Sequence, residues 1–198
     1  MLSQKKYPER VSKLVLACTM KEIPFHMRDK IINSVYLAEK NLMDKFAWFV
    51  THNGLICLEL DKYIVRRDLA LRVLNAELKN MTKLETEKYI LNTNRLLNLQ
   101  SIDINSSPEV STLVFTGEYD VFTLPEYCRE IASSFSDSIF TTIKNADHLF
   151  HLERFNTTLE ILMRFVRDLL LEKIEGCNEI EYFFNNVLHD KLIQGSTY

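Results

Sequence analysis

The chain has 198 residues, 46% of them hydrophobic and 26% charged, with a net charge of −3. That is enough for one domain with a sizeable core, and the charge leaves no electrostatic footprint for nucleic acid. No apolar run is long enough to span a bilayer, and the opening MLSQKKYPER has no apolar stretch of the kind a secretory signal needs.

Only four Gly and four Pro punctuate the chain, which favours long helices. The first apolar run, Leu14 to Cys18 within RVSKLVLACT, is too short for a stable helix and suits a buried parallel strand. Pro24 breaks the chain. Residues 25–100 read as helical almost throughout. In MRDKIINSVYLAEKNLMDKFAWFV the apolar positions Ile31, Val35, Leu42, Phe46 and Phe49 recur at helical offsets. Asn53-Gly54 marks a turn, and YIVRRDLALRVLNAEL and KLETEKYILNTNRLLNL give two more amphipathic helices. This block is either a helical layer packed on a core or a lid over an apolar site.

NSSPEVSTLVFTGEYD (105–120) changes character. A polar loop leads into a buried strand, Thr112–Thr116, that stops at Gly117. A helix over 124–135 starts near Pro125, a residue suited to a first turn. SIFTTIKNA (138–146) is a third strand. A loop holding His148 follows, then a long amphipathic helix over 153–174 that Gly176 ends. The tail EIEYFFNNVLHDKLIQ is expected to form one more helix, docked through Phe183, Phe184, Val187 and Leu188. Strand alternating with helix argues for a parallel sheet with crossover helices. Active groups then collect beyond the carboxyl ends of the strands, where Asp120 and His148 both fall. Each also has a plainer reading: Asp120 as a turn former, His148 as an ordinary loop histidine.

Cys18, Cys57, Cys128 and Cys177 fit no CxxC or zinc spacing. They read as free thiols of the reducing cytoplasm, packed as small hydrophobes. Cys18 ends a strand, but LACTM lacks the glycine-flanked turn of an exposed nucleophile. No residue pattern points to a metal or an organic cofactor. His26, His52 and His189 read as structural. His151 is a weaker base than His148 and would rim a pocket or face solvent.

These segments together resemble the α/β-hydrolase superfamily. YPERVSKLVLAC resembles the stretch where the helix after the nucleophile elbow gives way to the next strand. STLVFTGEYDVFTLPE resembles the strand and turn that present the acid, which maps to Asp120. IKNADHLFHLE resembles the loop that presents the base, which maps to His148. The resemblance implies a partial α/β-hydrolase fold: parallel strands, crossover helices and a helical cap insertion. It assigns 1–24 and 105–198 to the core and 25–104 to the cap.

The resemblance also implies a nucleophile on a G-x-S-x-G elbow, roughly a dozen or more residues before Pro8. None is expected in this chain, which reads as truncated, with little triad catalysis of its own and no labelling by a serine-directed fluorophosphonate. The family usually has glycine where Asp147 stands. That carboxylate would either raise the imidazole pKa or face water. Glu153 would cap the final helix.

The function implied is hydrolysis of an ester, thioester or related acyl bond, with Asp120 orienting His148. A Met- and aromatic-rich cap fits an apolar or acyl small molecule. Acyl transfer on the same fold is one alternative. A non-catalytic binding protein is another. A three-strand sheet would leave an exposed edge, so self-association or a complementary chain is expected there.

Overall fold

The computed structural model describes residues 10–53, 63–99 and 110–184. Among these, four strands form one sheet: β1 (Lys13–Ala17), β2 (Ser111–Gly117), β3 (Asp137–Ile143) and β4 (Glu181–Phe184). They lie in sequence order, β1 to β3 parallel and β4 antiparallel to β3. Between β1 and β2 the described residues form four helices: α1 (Phe25–Glu39), α2 (Met43–Asn53), α3 (Arg67–Lys79) and α4 (Lys83–Leu97). Helix α5 (Pro125–Ser133) joins β2 to β3, and α6 (Phe150–Glu153) and α7 (Phe155–Val166) follow β3.

Strand β2 is the spine of the sheet and is buried along almost its whole length. Its side chains alternate between the faces, as strand geometry requires. Leu113 and Phe115 point to one face and pack with Ile143, Phe150, Ile161 and Phe165. Val114 points to the other and packs with Cys128 and Ala132 of α5 and Phe140 of β3. Full burial of each such large side chain contributes about 1.5–3 kcal/mol. A strand covered on both faces reads as a continuous apolar run, which is why Thr112–Thr116 was legible.

Three local expectations need correction. The helix over 153–174 stops at Val166. Lys13 Nζ donates to the carbonyls of Phe165 and Val166, at 2.8 and 3.0 Å, and pairs with Asp168. Asp168 itself takes φ +57°, and the chain turns so that Leu171 and Ile174 are buried in the core. The tail begins with a strand, not a helix. In EYFF alternate residues are the more exposed, Phe183 packs towards the Val114 cluster, and Tyr182 stacks on Phe184. The sheet therefore has four strands among the described residues, not three. The long pattern from Met27 to Val50 is two helices, broken at Asn41, which takes φ +53°. Gly54, Cys57, Val187, Leu188 and His189 lie outside the described residues.

Gly117 ends β2 because the next loop passes directly over it. A Cβ there would sit 2.2 Å from the Asp147 carbonyl oxygen and 2.7 Å from that of Ala146. Both neighbours are backbone and cannot rotate away. The same approach lets the Tyr119 N–H donate to the Ala146 carbonyl at 2.9 Å. Gly117→Ala should therefore cost at least about 1–3 kcal/mol, as overpacking does. A thermal melt should show a clear fall in Tm, and an unchanged melt would mean that the loop does not pack this closely.

Candidate active site

Asp120 stands three residues beyond β2, and His148 stands in the loop after β3. Adjacent parallel strands bring their ends to the same rim. The two side chains meet there: His148 Nδ1 lies 3.0 Å from Asp120 Oδ2. The Asp120 side chain is fully buried and the His148 side chain is 20% exposed.

Asp120 is held by its own loop. Its Oδ1 accepts from the backbone N–H groups of Phe122 and Thr123 at 2.9 and 2.8 Å. Its Oδ2 accepts from the hydroxyls of Thr116 and Thr123 and faces the His148 ring. The turn reading and the acid reading of this residue are thus both visible, one on each oxygen. Burial alone would raise the carboxyl pKa, but the hydrogen bonds to His148, Thr123 and Thr116 outweigh it and the net shift is downward. Burial alone would lower the His148 pKa. The hydrogen bonds to Asp120 and then Cys18 reverse that, and the imidazole is pushed up to about 10.

Cys18 follows β1 directly. Its backbone N–H donates to the Phe115 carbonyl at 3.0 Å, and its φ is +50°. The sulfur lies 3.4 Å from Thr116 Oγ1. The Cys18 sulfur, a His148 ring nitrogen and an Asp120 oxygen all fall within 4.8 Å of one another. The expectation of a plain core thiol is therefore incomplete. Cys18 is half-buried at the edge of the core and belongs to the same cluster as the acid and the base. Three such donors also resemble a set for a soft divalent ion. Yet the two oxygens of Asp120 already face five donors, named above, against about four lone-pair positions. That saturation fits a hydrogen-bonded acid better than a metal ligand. Cys128 and Cys177 are buried, and burial pushes their thiols up to about 12 and about 11.

Asp147 does not face water. It is buried, its Oδ2 pairs with Arg67 Nη1 at 2.5 Å, and its Oδ1 accepts the Leu149 N–H. Glu153 is also buried and caps no helix. Its Oε2 accepts the Asp147 backbone N–H at 2.8 Å, and its Oε1 lies 3.4 Å from Arg67. Burial, then the neighbouring Asp147 charge, pushes the Glu153 carboxyl up to about 8. Arg67, at the start of α3, thus ties the helical layer to the loop that carries His148. Ala70 of α3 packs on Leu149 beside it, and the Val65 N–H donates to the Asn145 carbonyl. His151 is exposed, as expected of a rim residue, and His52 hydrogen-bonds within α2 and stacks on Trp48. Sequence reading missed Arg67, which carries no local signature. Thr123, three residues after Asp120, was findable as the hydroxyl of an Asx-type turn.

Two cavities lie near this rim. One of about 190 Å³ sits among α1, α2 and α4, with Ile31, Phe49, Val50, Tyr89, Leu96 and Phe122 in its wall. Phe122 meets the His148 ring edge to face at 5.2 Å between centroids. A larger one of about 550 Å³ has charged walls, including Lys144, Glu153 and Arg154, and includes none of Cys18, Asp120 and His148. The smaller one adjoins the chemistry through Phe122.

No family model and no curated protein matches the sequence. Solved structures do match. An enol-lactonase from Burkholderia xenovorans LB400 superposes with a TM-score of 0.67 at 16% identity, over 83% of this chain and 60% of that one. An α/β hydrolase from a Medee basin deep-sea metagenome gives 0.68 at 15%, over 85% and 60%. An esterase from Thermogutta terrifontis gives 0.63 at 16%, over 83% and 59%. The fold is that of the α/β-hydrolases. At these identities the likeness is one of fold, and the chain spans about 60% of the length of the α/β-hydrolases it matches. No helix of the described residues is long and apolar enough to cross a membrane.

The raised Glu153 carboxyl carries a prediction. Its folded pKa, about 8, exceeds the ordinary glutamate value of 4.5. The folded state therefore holds more protons than the unfolded state between those values, and stability falls as pH rises through that window. Denaturant midpoints taken from pH 4.5 to 8 should show that decline, and Glu153→Gln should flatten it. An identical pH dependence in the variant would mean that Glu153 is ionised in the folded protein.

Proposed function

We propose that this site serves hydrolysis of an acyl bond, an ester or thioester, with His148 as base and Asp120 as the acid that orients it. The observation that supports this most is the contact of His148 Nδ1 with Asp120 Oδ2 beyond the ends of two adjacent parallel strands. A carboxylate on Nδ1 fixes the tautomer that leaves Nε2 free to take a proton, and it stabilises the imidazolium that forms. The matched lactonase and esterases act on acyl bonds by their names, which agrees with this reading.

The four helices between β1 and β2 are proposed as the cap, and the cavity against Phe122 as the seat of the acyl group. Its volume of about 190 Å³ is below the roughly 300 Å³ at which drug-sized sites begin. A short acyl chain is the better fit. Transfer to an alcohol uses the same dyad, and the choice between water and alcohol rests on what the cap admits.

The edge of the sheet favours a compatible second property. Among the described residues β1 is an edge strand, only half-buried along its length and ending exposed at Ala17. An unpaired edge of this kind recruits another strand. The proposal is self-association or pairing with a complementary chain there, and sedimentation should show a species heavier than 23.3 kDa. A sharp monomer with a high Tm would remove it.

The function itself is tested with short nitrophenyl esters and acyl thioesters. With no nucleophile elbow in this sequence turnover should be slow, and whatever hydrolysis exceeds the buffer rate should be lost in His148→Gln and should fall by roughly 100-fold or more in Asp120→Asn. The working base is the neutral imidazole. With its pKa pushed up to about 10, the enzymatic rate should climb with pH and level off near there. Activity indifferent to both substitutions would end this reading.

A further inference from the structure

We propose that Arg67, in the helical layer, is a positioning residue for the base: through Asp147 and Glu153 it fixes the backbone on both sides of His148 and so sets the ring against Asp120. The inference rests on the reading of His148 as a base and adds what holds that base in place.

The contacts bracket the histidine. Arg67 Nη1 donates to Asp147 Oδ2 at 2.5 Å and lies 3.4 Å from Glu153 Oε1. Asp147 Oδ1 accepts the Leu149 N–H at 3.1 Å, and the Asp147 carbonyl accepts the Phe150 N–H at 3.2 Å. The Asp147 N–H donates in turn to Glu153 Oε2 at 2.8 Å. The residues immediately before and after His148 are thus tied to each other and, through one guanidinium, to α3. The side chains of Arg67, Asp147 and Glu153 are only 3%, 0% and 0% exposed. Packing runs the same way. Ala70 of α3 lies on Leu149, and the Val65 N–H donates to the Asn145 carbonyl at 3.1 Å. Between Val65 and α3, Arg66 takes φ +57°, uncommon for such a residue, and Arg67 opens the helix with its side chain buried.

Acid and base are held by different means. Asp120 is fixed by the hydroxyls of Thr116 and Thr123 and by the backbone of its own turn. His148 sits in a loop whose anchor crosses to another layer. A shift of about 1 Å in such a group can cost about 100-fold in rate. At neutral pH Glu153, pushed up to about 8, keeps its proton and leaves the Arg67 charge against that of Asp147. A buried ion pair is often no more stabilising than apolar side chains of the same volume. What this pair supplies is geometry.

The test removes the pair without stranding a charge, by combining Arg67→Met with Asp147→Asn. The new side-chain amide still offers an oxygen to the Leu149 N–H. The His148 ring protons are followed by NMR as pH is raised, beside hydrolysis of a short nitrophenyl ester. The double variant should keep the circular-dichroism spectrum of the parent. Its His148 midpoint should fall by about one unit or more, a tenfold or greater weakening of proton binding, because burial still presses it down while the contact with Asp120 loosens. Hydrolysis above the buffer rate should fall roughly 10- to 100-fold in kcat. KM should hold, since Arg67 lies outside the wall of the cavity against Phe122. Arg67→Lys keeps a charge there but loses the planar fork, and should lower the midpoint in the same direction. A His148 midpoint and a kcat equal to the parent's in either folded variant would overturn the proposal and leave Arg67 a structural residue only. Failure of both variants to fold would overturn it too, since the pair would then hold up the whole fold. A lowered midpoint, with hydrolysis that His148→Gln leaves untouched, would keep the positioning and end the base reading.

Discussion

A single polar contact organises this molecule, the one between a buried carboxylate and a half-open imidazole at the rim of a parallel sheet. Burying Asp120 would be costly if its oxygens were left bare. The protein surrounds them with two backbone amides and two threonine hydroxyls before the imidazole is counted. The consequence is directional. The carboxylate cannot turn away, so it presents a fixed acceptor to His148, and the ring is held in one orientation against Phe122. Strand adjacency supplies the proximity, and the turn after Gly117 supplies the aim.

The loop that carries His148 has its own support, and that support comes from the helical layer. Arg67 reaches into a site where Asp147 and Glu153 would otherwise be two buried carboxyls beside each other. A buried pair is weak evidence for stability, because desolvation offsets much of the attraction. Removing one partner is a different matter, since it strands a charge. The arrangement therefore makes the position of the loop depend on the position of α3, with Ala70 packed on Leu149 alongside.

Much of this was legible in the sequence, and the reasons are specific. Strand β2 was visible because burial on both faces leaves no polar position in STLVFTG except Ser111 at its start and two threonines, whose hydroxyls bond locally, Thr112 to the Val110 carbonyl and Thr116 to Asp120. Asp120 and His148 were visible because each follows a strand at a short, turn-like interval. Long-range partners were not visible. Arg67 and Asp147 are 80 residues apart, and nothing near either marks the other. Asp147 therefore read as solvent-facing or as a neighbour of the imidazole, and its burial against Arg67 was missed. The tail was misread because a period of two in EYFF is too short to stand against the helical residues around it. The role of Lys13 in ending α7 depends on strand β1 lying beside it, which is a tertiary fact. Cys18 was read as a core thiol, and it does pack against the Leu113 and Phe115 cluster; its nearness to Asp120 and His148 depends on strand adjacency, which no local motif shows.

The central claim is that Asp120 and His148 are in contact and exchange charge stabilisation. Following the His148 ring protons by NMR as pH is raised tests it most directly. The account predicts a midpoint near 10 in the parent chain and a clear drop in Asp120→Asn, where burial is opposed only by the smaller effect of Cys18. A His148 midpoint close to 6.5 that does not move with Asp120→Asn would contradict it.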